Sequence, residues 1–483
     1  MNKKNIGLFI VFVSALLFMS IIWSNNNFST ATLNQLIYHT KFTGSGFDIG
    51  IVLSWLVQAL LPSTLFFLFV GFTYNRYYLK NQSSLRVNGI HMSIVSLTLL
   101  LVFTLTNYNV YGYFTKIAQV SDFYETNYVD PSSVNIDFTQ KRNLIYIYME
   151  SVETTYLSTA NGGYNSTSLM PELEQIALEN TNFSNTDALG GWQTLEGTQW
   201  TIASMISQNA GIPVTLKFDD EEYEHGDPYL MGTYSLGEIL ADNGYKNVLI
   251  KGSDADFAGT SNFFETHGNY EIHDYNSIIE EGYIPADYKV FWGMEDSKTY
   301  TYAKEKLEEL SSSSQPFNLT MVTVNTHTPE GYLEPGAAEP YDDQYSNVIL
   351  DASKQVSEFI DYISQQDYYD NTTIIVVGDH LSMYGEYFAS VDVNYQRTPF
   401  NVIINSGATT QKTANRQFSS IDMFPTTIAA LGGAIEGDSL GLGVNLYSDR
   451  LTLIEKYGFD YVNTEIQKSS NFYQEKLLYP DGQ

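Results

Sequence analysis

Three apolar runs within the first 108 residues limit what this chain can fold into more than any other feature. Residues 6–23 are uninterrupted and long enough to span a bilayer. Residues 49–74, broken only by Gln58 and Pro62, and residues 90–108 follow. Backbone in hydrocarbon has to satisfy its own N–H and C=O groups, so runs of this kind read as transmembrane helices. Lys3 and Lys4 ahead of the first run would also fit a signal peptide, but the two later runs argue against a purely cleaved leader. The stretch 75–89 carries Arg76, Lys80 and Arg86, whereas the one between the first two runs sets Lys41 against Asp48. By the positive-inside rule the N-terminus and residues 75–89 are cytoplasmic, and three spans place everything after Tyr108 outside the cell.

Charge divides at the same place. Residues 1–110 hold six Lys/Arg and one acid, Asp48, so of a net −31 the remainder carries −36. Such a domain stays soluble and repels nucleic acid, and anionic phosphate approaches it only where a metal intervenes. A chain of 483 residues suits a soluble domain joined to a membrane part. Cysteine is absent, which excludes disulfides, thiolate metal sites and a cysteine nucleophile.

Residues 109–141 are polar, Tyr-rich and without periodicity, and read as a connector with a turn signal at Asp130-Pro131. A regular alternation occupies 142–450. Strands are predicted at 143–149, 246–250, 318–324, 372–377 and 400–404, and helices at 169–178, 301–311, 348–365 and 420–431. This pattern predicts an α/β fold with a mainly parallel central sheet flanked by helices. Residues 451–483 remain as a C-terminal tail.

In open α/β sheets ligands sit off the carboxyl ends of the strands. Glu150 follows the first strand, Lys251 and Asp254 the second, His327 the third, and Asp379 with His380 the fourth. An oxygen and a nitrogen ligand side by side suit Zn²⁺ or Mn²⁺. Each residue also has a structural reading: Asp379 capping a turn, His380 packed in the core, Glu150 and Lys251 as surface charges, His327 held in a turn by Pro329. Joint placement at one edge favours a site. For a nucleophile, the glycine-bearing loop 189–197 leads into a run with helical spacing, placing Thr198 at a helix N-terminus, where free N–H groups stabilise an alkoxide or a phosphoryl oxygen. An ordinary N-cap is the competing reading. His225, inside the acidic segment 219–227, reads as solvated, His39 and His91 fall in the membrane part, and His267 and His273 receive no role.

Together these residues resemble the alkaline phosphatase/sulfatase superfamily, and most of all its phosphoglycerol transferases, the group of the lipoteichoic acid synthases and glucan phosphoglycerol transferases. The segments 142–151, 196–203, 252–259 and 326–329 are most similar to the glucan branch, as is 33–39 between the first two apolar runs; 419–426 is a general superfamily element. The resemblance implies one divalent metal, Mn²⁺ first with Mg²⁺ or Zn²⁺ compatible, held by Glu150, Thr198, Asp379 and His380. It implies Thr198 as the nucleophile, phosphatidylglycerol as the donor, and a cell-envelope glycan or polymer hydroxyl as the acceptor. His327, Lys251 and Asp254 are the implied substrate-binding residues. The chain departs from lipoteichoic acid synthases in having three spans where they have five. It also reads Phe257-Ala258-Gly259-Thr260 where they carry Phe-Trp-x-Arg, which leaves the positive contact to glycerophosphate unassigned. Phosphoethanolamine transferases share the threonine nucleophile but usually carry disulfides. A sulfatase proper needs a cysteine or serine to convert to formylglycine, and a hydrolase or a non-catalytic glycan- or lipid-binding module are the remaining alternatives.

Overall fold

The computed structural model describes residues 3–28, 31–42, 49–80, 89–216 and 229–480. Asp48, Arg86 and His225, with most of the 75–89 stretch, lie outside the described residues. Contacts divide the chain into two compact units.

The first unit comprises Met1–Leu33, Phe47–Ala118 and Met383–Ala389. It is built on helix α1 (Lys3–Asn27), a short helix Ile49–Trp55, α3 (Leu61–Lys80) and α4 (Gly89–Asn107), with α1 packed against both α3 and α4. Polar groups on these apolar helices find one another: Trp55 Nε1 donates to Ser20 Oγ at 2.9 Å and Trp23 Nε1 to Ser54 Oγ at 3.0 Å. Asn5–Asn27 and Val52–Arg76 are each long and apolar enough to cross a membrane. The third expected run, 90–108, coincides with α4, and the chain bends just beyond it. His91–Asn107 meets Val110–Ile117 at a 59° bend and makes a third span only if the bent pair counts as one. The bend falls at Asn109, whose φ of 43° breaks the helix and whose side chain caps Gly112 N.

The second unit comprises Asn34–Gly46, Gln119–Ser382 and Ser390–Gln483. Its sheet contains β1 (Asn143–Met149), β2 (Lys246–Lys251), β3 (Glu271–His273), β4 (Phe317–Val322), β5 (Thr372–Gly378) and β6 (Asn401–Ile404), in the spatial order β3-β2-β4-β1-β5-β6. Five strands are parallel and β6 runs antiparallel to β5 at the edge. The Ile/Val run of β5 and the apolar run of β1 are buried along their whole length, as interior strands covered on both faces should be. Helices α5 (Thr201–Ala210), α6 (Asp296–Ser311) and α7 (Gln344–Ser364) surround the sheet, and α7 seals it with Val356, Phe359 and Ile363. The short edge strand β3 was not expected.

The expected connector and tail both contain packed structure. Ile136–Phe138 pairs with Gly433–Ile435, and Phe123 and Tyr124 are buried. In the tail, Glu455 closes a capping box with Thr452 and accepts from Arg416 Nε at 2.7 Å, while Val462, Ile466 and Leu477 are buried. These helices are too short to show a period in sequence.

Helix α2 (Leu33–Lys41) is the larger surprise. From Asn34 onward it belongs to the α/β unit, although hydropathy leaves it between two spans. Tyr38 is fully buried; its hydroxyl donates to Ala258 O at 2.8 Å and lies 3.2 Å from Tyr229 Oη. Asn34 Nδ2 donates to Val214 O at 3.0 Å. Phe42 packs so closely on Gly259 that a Cβ there would fall 2.7 Å from the ring.

Candidate active site and metal centre

The sheet register decides the site. Met149 on β1 stands opposite Gly378 on β5, so Glu150 and Asp379 leave adjacent parallel strands at one level. Gly378 permits this closeness: a Cβ on it would lie 1.5 Å from the Val152 carbonyl oxygen. Ser151 takes a left-handed φ of 56°, a strained conformation for a residue other than glycine. It is held there by its N–H to Asp379 Oδ1 at 2.8 Å and its hydroxyl to Glu150 Oε1 at 2.7 Å.

Glu150, Asp379 and His380 each offer a ligand atom, and the three atoms lie within 4.8 Å of one another. His380 Nε2 is 3.4 Å from both Glu150 Oε1 and Asp379 Oδ2. The other ring nitrogen, Nδ1, lies 2.9 Å from the Leu381 carbonyl. That contact assigns the proton to Nδ1 and leaves the Nε2 lone pair facing the carboxylates, the orientation of a ligating histidine. Asp379 Oδ1 accepts from the N–H groups of Ser151 and His380, both at 2.8 Å, whereas buried Oδ2 has no hydrogen-bond partner. An unpartnered buried carboxylate oxygen beside a second buried carboxylate calls for a cation. The donor set, two carboxylates and an imidazole, fits one divalent metal ion.

The charges are tightly linked. Burial would lift the Glu150 carboxyl, but His380 and His327 hold it below the usual carboxylate range. Burial and the neighbouring Glu150 push Asp379 up to about 7. Burial would lower His380, but Asp379 and Glu150 raise it.

Thr198 and this cluster are not brought into contact by any described hydrogen bond. The chain turns tightly before the helix, with Thr198 N–H and Oγ1–H both donating to the Leu195 carbonyl, at 3.2 and 2.8 Å. Helix α5 starts three residues later than expected, with Trp200 as an N-cap that makes no side-chain bond. Its first residue, Thr201, meets the cluster: Oγ1 lies 3.1 Å from Glu150 Oε2 and 3.4 Å from His380 Nε2. One turn on, Ser204 Oγ donates to the Asp379 carbonyl oxygen and fixes the helix to the same strand end. The sequence reading passed over Thr201 because a tryptophan, not a polar cap, precedes the helix.

His327 follows β4, half-buried, with Nδ1 2.7 Å from the Thr328 carbonyl; burial lowers its pKa against the pull of Glu150. It is therefore a neutral imidazole with its Nε2 lone pair available. Lys251 is buried at the end of β2 within electrostatic range of Glu150, its Nζ donating to Asp254 O at 3.1 Å. The Asp254 carboxylate turns back to accept from Asp256 N at 2.9 Å, and no described contact takes it to the cluster. His267 and His273 bond elsewhere, to Glu238 and to Glu271 with Glu281.

A family model described as Sulfatase matches residues 142–434, a stretch that contains every one of these residues. The chain belongs to the sulfatase family. Among curated relatives of this sulfatase-family chain, phosphoglycerol transferase I of Xanthomonas campestris is 29% identical over 64% of this chain and 43% of its own length. Phosphoglycerol transferase I of Escherichia coli is 30% identical over 65% of this chain and 40% of its own. The chain thus spans less than half the length of these relatives. The integral membrane protein lipooligosaccharide phosphoethanolamine transferase A from Neisseria meningitidis shares the fold, with a TM-score of 0.51 and 15% identity over 89% of this chain and 84% of that one.

Proposed function

We propose that this sulfatase-family chain is a membrane-anchored phosphotransferase. It moves glycerol phosphate from phosphatidylglycerol to a hydroxyl of a cell-envelope glycan or polymer through a phosphothreonine diester. Residues 1–108 would anchor it, in three spans, and the α/β body from 142 to 450 would work outside the cell. The observation that carries the reading is Thr201 Oγ1, at a helix N-terminus and hydrogen-bonded to Glu150 beside an unpartnered Asp379 oxygen. Relatives named phosphoglycerol transferase I support glycerol phosphate as the group transferred.

Glu150, Asp379 and His380 would hold the metal, Mn²⁺ first on ligand chemistry, with the threonine oxygen completing the set. When bound, the metal supplies charge neutralisation on the phosphoryl oxygens and lowers the pKa of a coordinated hydroxyl. Thr201 points its hydroxyl proton at Glu150 and leaves an oxygen lone pair for the phosphorus. Attack forms the Oγ–P bond and breaks the bond to the diacylglycerol oxygen, which departs with the proton displaced from Thr201. The N–H groups opening α5 face the phosphoryl oxygens. In the second half-reaction neutral His327 takes the acceptor's proton on Nε2 as the acceptor oxygen attacks, and Thr201 regains a proton as its bond to phosphorus breaks. Lys251 adds positive charge to an acidic domain.

The deciding experiment incubates the full-length protein in liposomes with phosphatidylglycerol labelled in its head group and with Mn²⁺. Mass spectrometry then looks for glycerophosphate on the peptide containing Thr198 and Thr201. The expected result is an adduct on Thr201, retained in Thr198→Ala and lost in Thr201→Ala. An adduct on Thr198 would overturn the residue assignment. The absence of both an adduct and diacylglycerol release would overturn the donor, and a phosphoethanolamine adduct from phosphatidylethanolamine would replace it.

A further inference from the structure

The strand ladders end before the residues of the active centre begin. The last paired residues are Met149 on β1, Val322 on β4 and Gly378 on β5, so Ser151, Thr326 and Ser382 all lie on loops beyond the sheet. Ladder bonds join only neighbouring strands, and β1 stands between β4 and β5. The loops that follow β4 and β5 therefore leave the sheet two strand spacings apart, about 10 Å, and a group from outside the sheet has to join them.

That group is the hydroxyl of Tyr345, the second residue of α7 and only 1% exposed. It donates to the Thr326 carbonyl at 3.0 Å, one residue before His327, and lies 2.8 Å from Ser382 Oγ, two residues after His380. Tyr156 Oη lies 3.4 Å from it and donates to the Ser151 carbonyl at 3.2 Å, one residue after Glu150. Thr326 turns its own hydroxyl to the Glu150 carbonyl. Ser151, Tyr156, Thr326 and Ser382 are all buried, so these bonds are made in a low-dielectric interior where each is stronger than in water. Burial pushes the pKa of the Tyr345 hydroxyl up, which keeps it a donor. Asp343 caps the first turn of α7 by accepting from Ser346 N at 2.8 Å, and the Tyr345 ring packs edge-on against Tyr156, centroids 6.3 Å apart. The hydroxyl is thus presented from a capped helix rather than from a loop.

We propose that Tyr345 is the positioning residue of the metal centre: its hydroxyl joins the three loops that carry Glu150, His327 and His380, and so sets how tightly the cluster holds a divalent ion. The inference rests on the metal-dependent transferase reading and deepens it by naming what keeps the ligands in place; for binding itself it needs only the Glu150, Asp379 and His380 cluster. Glu150 and Asp379 are like charges at close quarters, and loops free to move would let them part. A ligand set that stays assembled has less ordering to pay on binding. Loss of one such outer partner typically costs about ten- to a hundred-fold in metal affinity. Arg397 Nη2 also holds the Ser382 carbonyl, at 2.9 Å, so the loop after His380 keeps an anchor when the tyrosine hydroxyl is removed.

The test uses the full-length protein in detergent, with Mn²⁺ alone as the probe and loss of the free ion's electron paramagnetic resonance signal as the measure of binding. Tyr345→Phe deletes one oxygen and keeps the ring, and its Kd for Mn²⁺ should rise at least about ten-fold. Tyr473→Phe is the control: it deletes another buried hydroxyl, one that donates to the Pro213 carbonyl at 3.2 Å, and its Kd should be that of wild type. A wild-type Kd in Tyr345→Phe, or a rise of the same size in Tyr473→Phe, overturns the inference. Tyr345→Phe should also need correspondingly more Mn²⁺ for half-maximal adduct formation from labelled phosphatidylglycerol. If wild type binds Mn²⁺ but forms no adduct, the transferase reading fails and the Kd comparison still decides the role of Tyr345. If wild type binds no Mn²⁺, the metal centre falls and the inference with it. Should Tyr345→Phe not fold, Ser382→Ala removes a partner of the same hydroxyl and carries both readouts, and a wild-type Kd there overturns the inference.

Discussion

Thr201 Oγ1 lies 3.1 Å from Glu150 Oε2, whereas Thr198, three residues earlier, directs its hydroxyl at the Leu195 carbonyl 2.8 Å away. Two threonines in one short segment thus have opposite environments: one opens a helix at the metal-type cluster, the other closes a turn. The contrast gives them separable consequences.

Replacing Thr201 by valine keeps the shape and removes the oxygen. Adduct formation should fall by at least about 1000-fold with little change in thermal stability. Thr198→Val should do the reverse, costing about 1 kcal/mol for the lost turn bond while activity stays within ten-fold. Steady-state kinetics beside chemical denaturation separates the two.

A divalent ion should stabilise the fold through the Glu150, Asp379 and His380 cluster. At a hundred times its Kd, Mn²⁺ adds about 2.7 kcal/mol. Scanning calorimetry with Mn²⁺ and with EDTA should show a clear difference in Tm, and His380→Ala or Asp379→Asn should abolish it. An equal rise in those variants would place the ion elsewhere.

Arg416 reaches from the body into the tail, bonding Glu455 by Nε at 2.7 Å and the Leu446 carbonyl by Nη1 at 2.8 Å. Arg416→Met leaves Glu455 largely buried without its cation and should cost about 3–5 kcal/mol. The double variant with Glu455→Leu should recover part of that loss, measured by urea unfolding.

Asp296, Glu334 and Asp351 repel one another under the sheet. Burial pushes Asp296 up to about 7 and also raises Asp351, with Glu334 adding to both. An acid whose folded pKa is raised binds more protons folded than unfolded, so its contribution to stability is present at low pH and lost as pH rises through the folded value. Asp351→Asn should therefore be more stable than wild type at pH 7.5 and converge with it by pH 5. A gap that stays constant across that range would count against this account.

Much of the body was legible because its signals are strong and local. The apolar runs of β1 and β5 are long enough to demand burial on both faces, and parallel strands necessarily gather Glu150, His327 and Asp379 at one edge. The exact helix start was not legible, since Trp200 carries no capping signal and the turn at Thr198 depends on a backbone bond three residues back. Hydropathy ended the third run at residue 108 and gave no sign that Asn109, with its left-handed backbone, would turn the chain into a further short helix. Nor could a period reveal the packed tail, because each of its helices makes barely two turns or fewer. The position of α2 is a tertiary fact. Its Asn34 and Tyr38 find their hydrogen-bond partners, Val214, Tyr229 and Ala258, some two hundred residues away.

That docking bears on proteolysis. A cut in the stretch 109–118 severs the peptide link between the last apolar helix and the body, but residues 34–42 remain seated in the body and continue at both ends into apolar runs. Releasing the α/β body then takes two events, cleavage followed by withdrawal of a fully buried tyrosine from its hydrogen bonds. The same reasoning applies at the bench: a fragment begun after residue 108 would carry a groove in place of Tyr38 and Phe42.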